Sequence, residues 1–112
     1  MSKPTDLVQG TLDLLILKTI SHEPQHGWAI AKRIQQISKE ALQIQQGSLY
    51  PALHRLEKAG ALTASWRASE RGPRRRYYAI TEDGKRLYAE ASREWEAIAS
   101  GVSRVAEVPS DA

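Results

Sequence analysis

The 112-residue chain contains no cysteine, which excludes disulfides, thiolate metal sites and cysteine nucleophiles at once and suits a reducing compartment. Long apolar runs are missing too. The densest, "LDLLILKTI", is broken by Lys18 well short of a membrane span, and the start "MSKPTDLVQG" has no apolar segment behind its lysine. The expectation is a cytoplasmic protein with no membrane partner. There is no Gly-rich phosphate loop, nucleophile elbow or cleft-forming carboxylate pair, so the sequence points away from an enzyme and calls for no cofactor. Internal repeats, low-complexity tracts and interdomain linkers are absent as well. At this length one compact domain is expected, and any larger hydrophobic core has to come from self-association.

One apparent motif fails on the same kind of ground. "HEPQH", residues 22–26, matches the H-E-x-x-H pattern in which two histidines on one helix face bind zinc. Pro24 breaks the helix that would bring His22 and His26 to one side, and no third ligand is apparent, so no metal site is expected.

What the chain does carry is positive charge in one place. Lys and Arg outnumber Asp and Glu by 16 to 13, a formal charge of +3. The decamer "SERGPRRRYY", residues 69–78, holds four arginines against Glu70 alone, with Arg67 just upstream. Such an excess favours a polyanionic partner.

Periodicity places the elements. Leu12, Leu15, Ile16 and Ile20 share one face of a helix over 10–21, and Leu14 and Leu17 lie off it, as in a helix covered on both flanks by its own domain and by a second subunit. A second helix over 27–39 turns Ile30, Ile34 and Ile37 inward. "ALQIQ" alternates as a very short strand would. A third helix over 48–59 buries Leu49, Ala52, Leu53 and Leu56, tolerates Pro51 in its first turn, and ends at Gly60. Leu62 to Arg67 and Arg74 to Ile80 alternate about a Gly-Pro turn, which predicts a β-hairpin with Tyr78 inward and Tyr77 outward. Thr81 then caps a last helix in which Tyr88, Ala91, Trp95, Ile98, Val102 and Val105 step by three and four residues, a heptad seam weakened by Gly101.

The predicted fold is therefore mainly α with a β-hairpin wing (α+β): a winged helix-turn-helix over 1–80, a dimerisation helix over 81–108 and a frayed tail over 109–112. In this arrangement the third helix enters the DNA major groove, with Tyr50, His54, Arg55 and Lys58 as candidate base or backbone contacts and Ser48 as a phosphate contact at the helix N-terminus. Arg71, Arg74, Arg75 and Arg76 suit backbone phosphate or a narrow minor groove, and the Tyr77 hydroxyl can reach phosphate. The same fold also serves as a protein-interaction module that binds no specific DNA. Leu14, Leu17 and the six seam residues are the candidate dimer interface. Trp95 has two readings: it fills the helix junction of a dimer, or paired Trp95 rings stack on a planar aromatic effector. Trp28 and Trp66 are expected in the domain core.

"GSLYPALHRLEKAGAL" followed by "RGPRRRYYAITEDGKRL", with "HGWAIAKRI" upstream, resembles the signature of PadR-family transcriptional regulators over about residues 8–95. The resemblance implies a homodimer held by the last helix, binding double-stranded operator DNA and usually repressing a neighbouring operon until a small molecule relieves it. It implies DNA contacts at Ser48, Tyr50, His54, Lys32 and the wing arginines, and an inducer pocket at Trp95.

Overall fold

A computed structural model describes residues 9–69 and 72–110. The order is α1 (Gln9–Thr19), β1 (Gln25–His26), α2 (Gly27–Ile37), α3 (Gln46–Lys58), β2 (Leu62–Ser69), β3 (Gly72–Ile80) and α4 (Glu82–Ala106). Three helices surround one apolar core, and an antiparallel sheet of order β1-β3-β2 closes it. This is the winged helix-turn-helix with a long final helix that the periodicity predicted.

Leu12, Ile16, Leu17 and Ile20 of α1 are buried against Ile30 and Ile34 of α2 and Leu49, Leu53 and Leu56 of α3. Leu17 thus belongs to the protomer's own core, which corrects its assignment to a dimer interface. At 3.6 residues per turn, 13, 16, 17 and 20 form one broad stripe rather than two separate faces. Leu14 and Leu15 are half-buried at its margins.

Two turns depart from expectation. The alternation at 41–45 gives no strand, although Leu42 and Ile44 still pack on the core. The short strand forms at Gln25–His26 instead, where it pairs with Tyr78 and Tyr77 and so occupies the free edge of β3. Helix α2 stops at Ile37, and Lys39 (φ 53) and Glu40 (φ 69) carry the chain away in the left-handed region. The Lys39 and Glu40 amides close on the Gln36 and Gln35 carbonyls, the bond pattern of a helix stop that glycine normally provides. The helix therefore ends at the core's edge and leaves Ile37 exposed.

Helix α3 begins two residues earlier than expected, so Pro51 lies in its second turn rather than its first. The acceptor that loses its partner, the Gly47 carbonyl, is on an exposed residue that water can reach. At the other end Gly60 (φ 81) stops the helix, its amide on the Glu57 carbonyl and that of Ala61 on Leu56. Thr81 caps α4 as predicted, its hydroxyl accepting from the Gly84 amide at 3.0 Å and donating to the Gly60 carbonyl at 2.6 Å.

The 25 residues of α4 extend about 37 Å. The first half of this helix lies along α1, whereas the seam residues toward its end become steadily more exposed, reaching 76% at Val105. An apolar stripe left open in this way is the part of the fold that the protomer does not cover by itself. No helix among the described residues is long and apolar enough to cross a membrane.

Candidate nucleic-acid interface

The outer face of α3 is open. Ser48, Tyr50, Pro51, His54 and Lys58 are all exposed, at spacings that put them on one side of the helix, while Leu49, Ala52, Leu53 and Leu56 fix the opposite side in the core. The Tyr50 ring lies back over Gly27 at the start of α2, so close that a Cβ on Gly27 would stand 2.8 Å from the ring. The glycine thus gives Tyr50 its place between the two helices.

Arg55, expected on this face, is turned the other way. Its guanidinium holds the Asp13 carboxylate of α1 at 2.6 Å. Burial pushes the Asp13 carboxyl up by more than the Arg55 charge lowers it. The bond therefore orients α3 on α1 more than it adds stability.

The wing is the hairpin β2–β3, with Leu62 opposite Ile80, Ala64 opposite Tyr78, Trp66 opposite Arg76 and Arg67 opposite Arg75. Its ladder shifts between Arg67 and Ser69, so the tip bends away from ideal pairing. Arg71 lies outside the described residues. Arg74 and Arg75 are exposed, and no ion pair or hydrogen bond to either side chain occurs among the described residues. Arg76 is different: it shares the inward face with Tyr78 and Ile80, and its guanidinium meets Glu57 of α3 at 3.0 Å. This corrects the expectation of three equivalent arginines.

Tyr78 is buried, as predicted, and burial raises its hydroxyl pKa, an effect the nearby Arg76 charge partly offsets. Tyr77 faces the other way but is only half exposed: it meets the edge of His26 with ring centres 5.4 Å apart, and Arg67 lies 5.3 Å from its ring centre. His26 is the N-cap of α2, its Nδ1 accepting from the Ala29 amide at 3.2 Å. Burial, and then the charge of Arg75, lower its pKa. The ring nitrogen is thus kept free of the proton that would abolish the cap.

Trp28 and Trp66 are not core residues. They are 50% and 56% exposed, Trp28 beneath the Lys32 ammonium at 4.5 Å and Trp66 beneath the Arg76 guanidinium at 5.7 Å. Their alternation with apolar neighbours suggested burial, but each stands one step beyond the core's edge, where a cation covers one ring face. Periodicity gave no sign of Glu57, Asp13 or His26 as functional neighbours. For His26 one signal existed: its place immediately before the predicted helix start, where caps occur.

A second concavity lies at the opposite side of α1. Gly10, Thr11 and Leu14 of α1 and Ala91, Glu94, Trp95 and Ile98 of α4 line an open cleft of about 220 Å3. Trp95 is 47% exposed, and Tyr88 and Ala91 are half-buried at the helix's inner end.

A buried helical core, an open third helix and a basic wing define a winged-helix regulator of transcription. The chain belongs to the PadR-like family of transcriptional regulators, whose family model matches residues 16–90. These are DNA-binding proteins rather than enzymes. A transcriptional regulator of Mycobacterium tuberculosis is 37% identical over 94 residues, covering 84% of each chain. The solved structure of a transcriptional regulator from Clostridium thermocellum superposes with a TM-score of 0.81 at 30% identity, covering 94% of this chain and all of the other. A PadR-like regulator of Bacillus cereus gives 0.77 at 28% identity over 90% and 96% of the two chains.

Proposed function

We propose that this protein is a cytoplasmic homodimeric repressor that binds a pseudo-palindromic operator, residues 1–80 contacting DNA and the helix over 81–108 joining the protomers. Ser48, Tyr50, His54 and Lys58 of α3 meet the major groove, Lys32 the adjoining backbone, and Arg74 and Arg75 the phosphates or minor groove beside it. Tyr77 supports the wing from its outer face. The observation that carries the reading is the pair of uncompensated arginines on a wing tied directly to the open face of α3. Half-sites are expected about 34 to 36 Å apart, one turn of DNA, or a multiple of this.

A mobility-shift titration against the DNA upstream of its own coding region, repeated over a range of salt, tests this. A specific complex is expected, and Arg74→Ala and Arg75→Ala should each flatten the logarithmic salt dependence by about 0.9, one released phosphate contact. No specific complex at moderate salt, or an unchanged slope, refutes the assignment. A complex with another protein that ignores salt would instead favour the interaction-module reading.

The cleft at Trp95 favours an effector in addition. A planar aromatic molecule stacked on Trp95, between α1 and α4, would alter the helix that joins the protomers and release the operator. Planar aromatics are expected to quench Trp95 fluorescence, an effect lost in Trp95→Ala with the dimer intact. Equal quenching in that variant rules the site out.

A further inference from the structure

We infer that Glu57 and Arg76 form a strut that fixes the wing against α3, and that Arg76 acts on operator binding as a positioning residue rather than a phosphate contact. The inference rests on the operator-binding reading above, but its geometry belongs to the free protein.

Three neighbours hold the Arg76 guanidinium. Glu57 Oε2 accepts from Nη2 at 3.0 Å, the Trp66 ring lies beneath it with its centre 5.7 Å away, and the buried Tyr78 hydroxyl senses its charge. The bridge is long-range in sequence but short in space, joining the last turn of α3 to the middle of β3. Both partners are partly shielded, with side chains 38% and 30% exposed. Alternation along β3 puts Arg76 on the face that looks toward α3, so the same strand geometry that buries Tyr78 denies Arg76 an outward path.

Glu57 makes the arrangement informative. It is an acid three residues after His54 and one before Lys58, at the margin of the face offered to a polyanion. Unpaired it would repel phosphate, and removing it should tighten binding. Paired, it contributes little net charge and its main effect is to hold the wing, with free Arg74 and Arg75, at a set distance from Tyr50 and His54. An Arg76 that met phosphate would have to leave the carboxylate, the indole face and the tyrosine together.

The two roles predict opposite signs for one substitution. With Arg76 as strut, Glu57→Gln releases the wing and weakens operator binding roughly 3- to 10-fold, the coupling expected of residues in direct contact, with the salt slope unchanged. Arg76→Gln has the same effect, and the double variant binds no worse than either single one. With Arg76 as phosphate contact, Glu57→Gln frees a cation, tightens binding and steepens the slope, and Arg76→Gln flattens the slope by about 0.9. Either of these results overturns the proposal.

The free protein gives an independent readout. The Trp66 indole N–H resonance, assigned by its loss in Trp66→Phe, is expected to shift to the same position in Glu57→Gln and Arg76→Gln, because either change frees the guanidinium over that ring. An indole resonance unmoved by Glu57→Gln refutes the strut. If the wild-type chain forms no specific DNA complex, the operator reading fails, and the Trp66 resonance still decides whether the strut exists.

Discussion

Gly84→Ala is expected to destabilise the protein by about 3 kcal/mol or more, the upper range for overpacking a closed site. A Cβ at this position would stand 2.0 Å from the Ala61 carbonyl oxygen and 2.8 Å from Ile80 Cγ1. The first contact is the decisive one. Ala61 is buried, and its carbonyl already accepts from the Thr81 amide at 3.1 Å, so the oxygen cannot withdraw without breaking the bond that starts α4. Alanine's better helix propensity returns at most about 1 kcal/mol, too little to offset the clash. For a chain of this size the loss corresponds to a fall in Tm of about 10 °C or more, read by thermal unfolding at a fixed protein concentration. A Tm within a few degrees of wild type would mean that α4 can shift away from β2 without cost. The consequence for function is that glycine here sets the angle at which the joining helix leaves the DNA-binding domain.

Gly84 also shows where sequence reasoning stops. The Thr81 cap and the acidic first turn of α4 were legible, because a cap depends on a few adjacent residues. The closeness of residue 84 to residue 61 was not, since it depends on how two elements meet in space. The same division runs through the site. The exposed face of α3 follows from the period of Leu49, Ala52, Leu53 and Leu56, and the inward Tyr78 from strand alternation. Charge density marked the wing correctly but treated Arg74, Arg75 and Arg76 alike, although alternation already turned the last toward α3. Arg55 was assigned outward because cations favour water, whereas Asp13 on α1 provides a partner inside. The two misplaced tryptophans have the opposite cause: large apolar rings suggested burial where a lysine and an arginine supply the cover. Leu42 and Ile44 alternated as in a strand, but β1 had already occupied the free edge of β3, and periodicity carries no information about which edge is available.

Placing glutamate at both Ile98 and Val102 is expected to leave the protomer folded and dissociate the dimer. Both residues are exposed in the protomer, Ile98 by 59% and Val102 by 63%, so a change there removes little of the protomer's own packing, and glutamate keeps good helix propensity. In a dimer joined along α4 the same positions occupy the seam that runs from Trp95 to Val105. Burying an aliphatic side chain contributes about 1.5 to 3 kcal/mol, and two-fold symmetry presents each position twice. The variant gives up those contributions and sets unpaired carboxylates against each other in an apolar interface. Sedimentation should then report the 12.5 kDa protomer in place of a species twice as heavy, with helical circular dichroism retained. Operator affinity should fall about 10²- to 10⁴-fold, because each half-site is then bound without the effective concentration the partner provides. The salt slope should roughly halve as well, since a single wing and a single α3 release half the counterions. A variant that remains dimeric would move the interface off this seam. One that becomes monomeric yet keeps full affinity and slope would show that a lone winged helix makes the whole set of contacts, and the pseudo-palindrome would lose its physical basis.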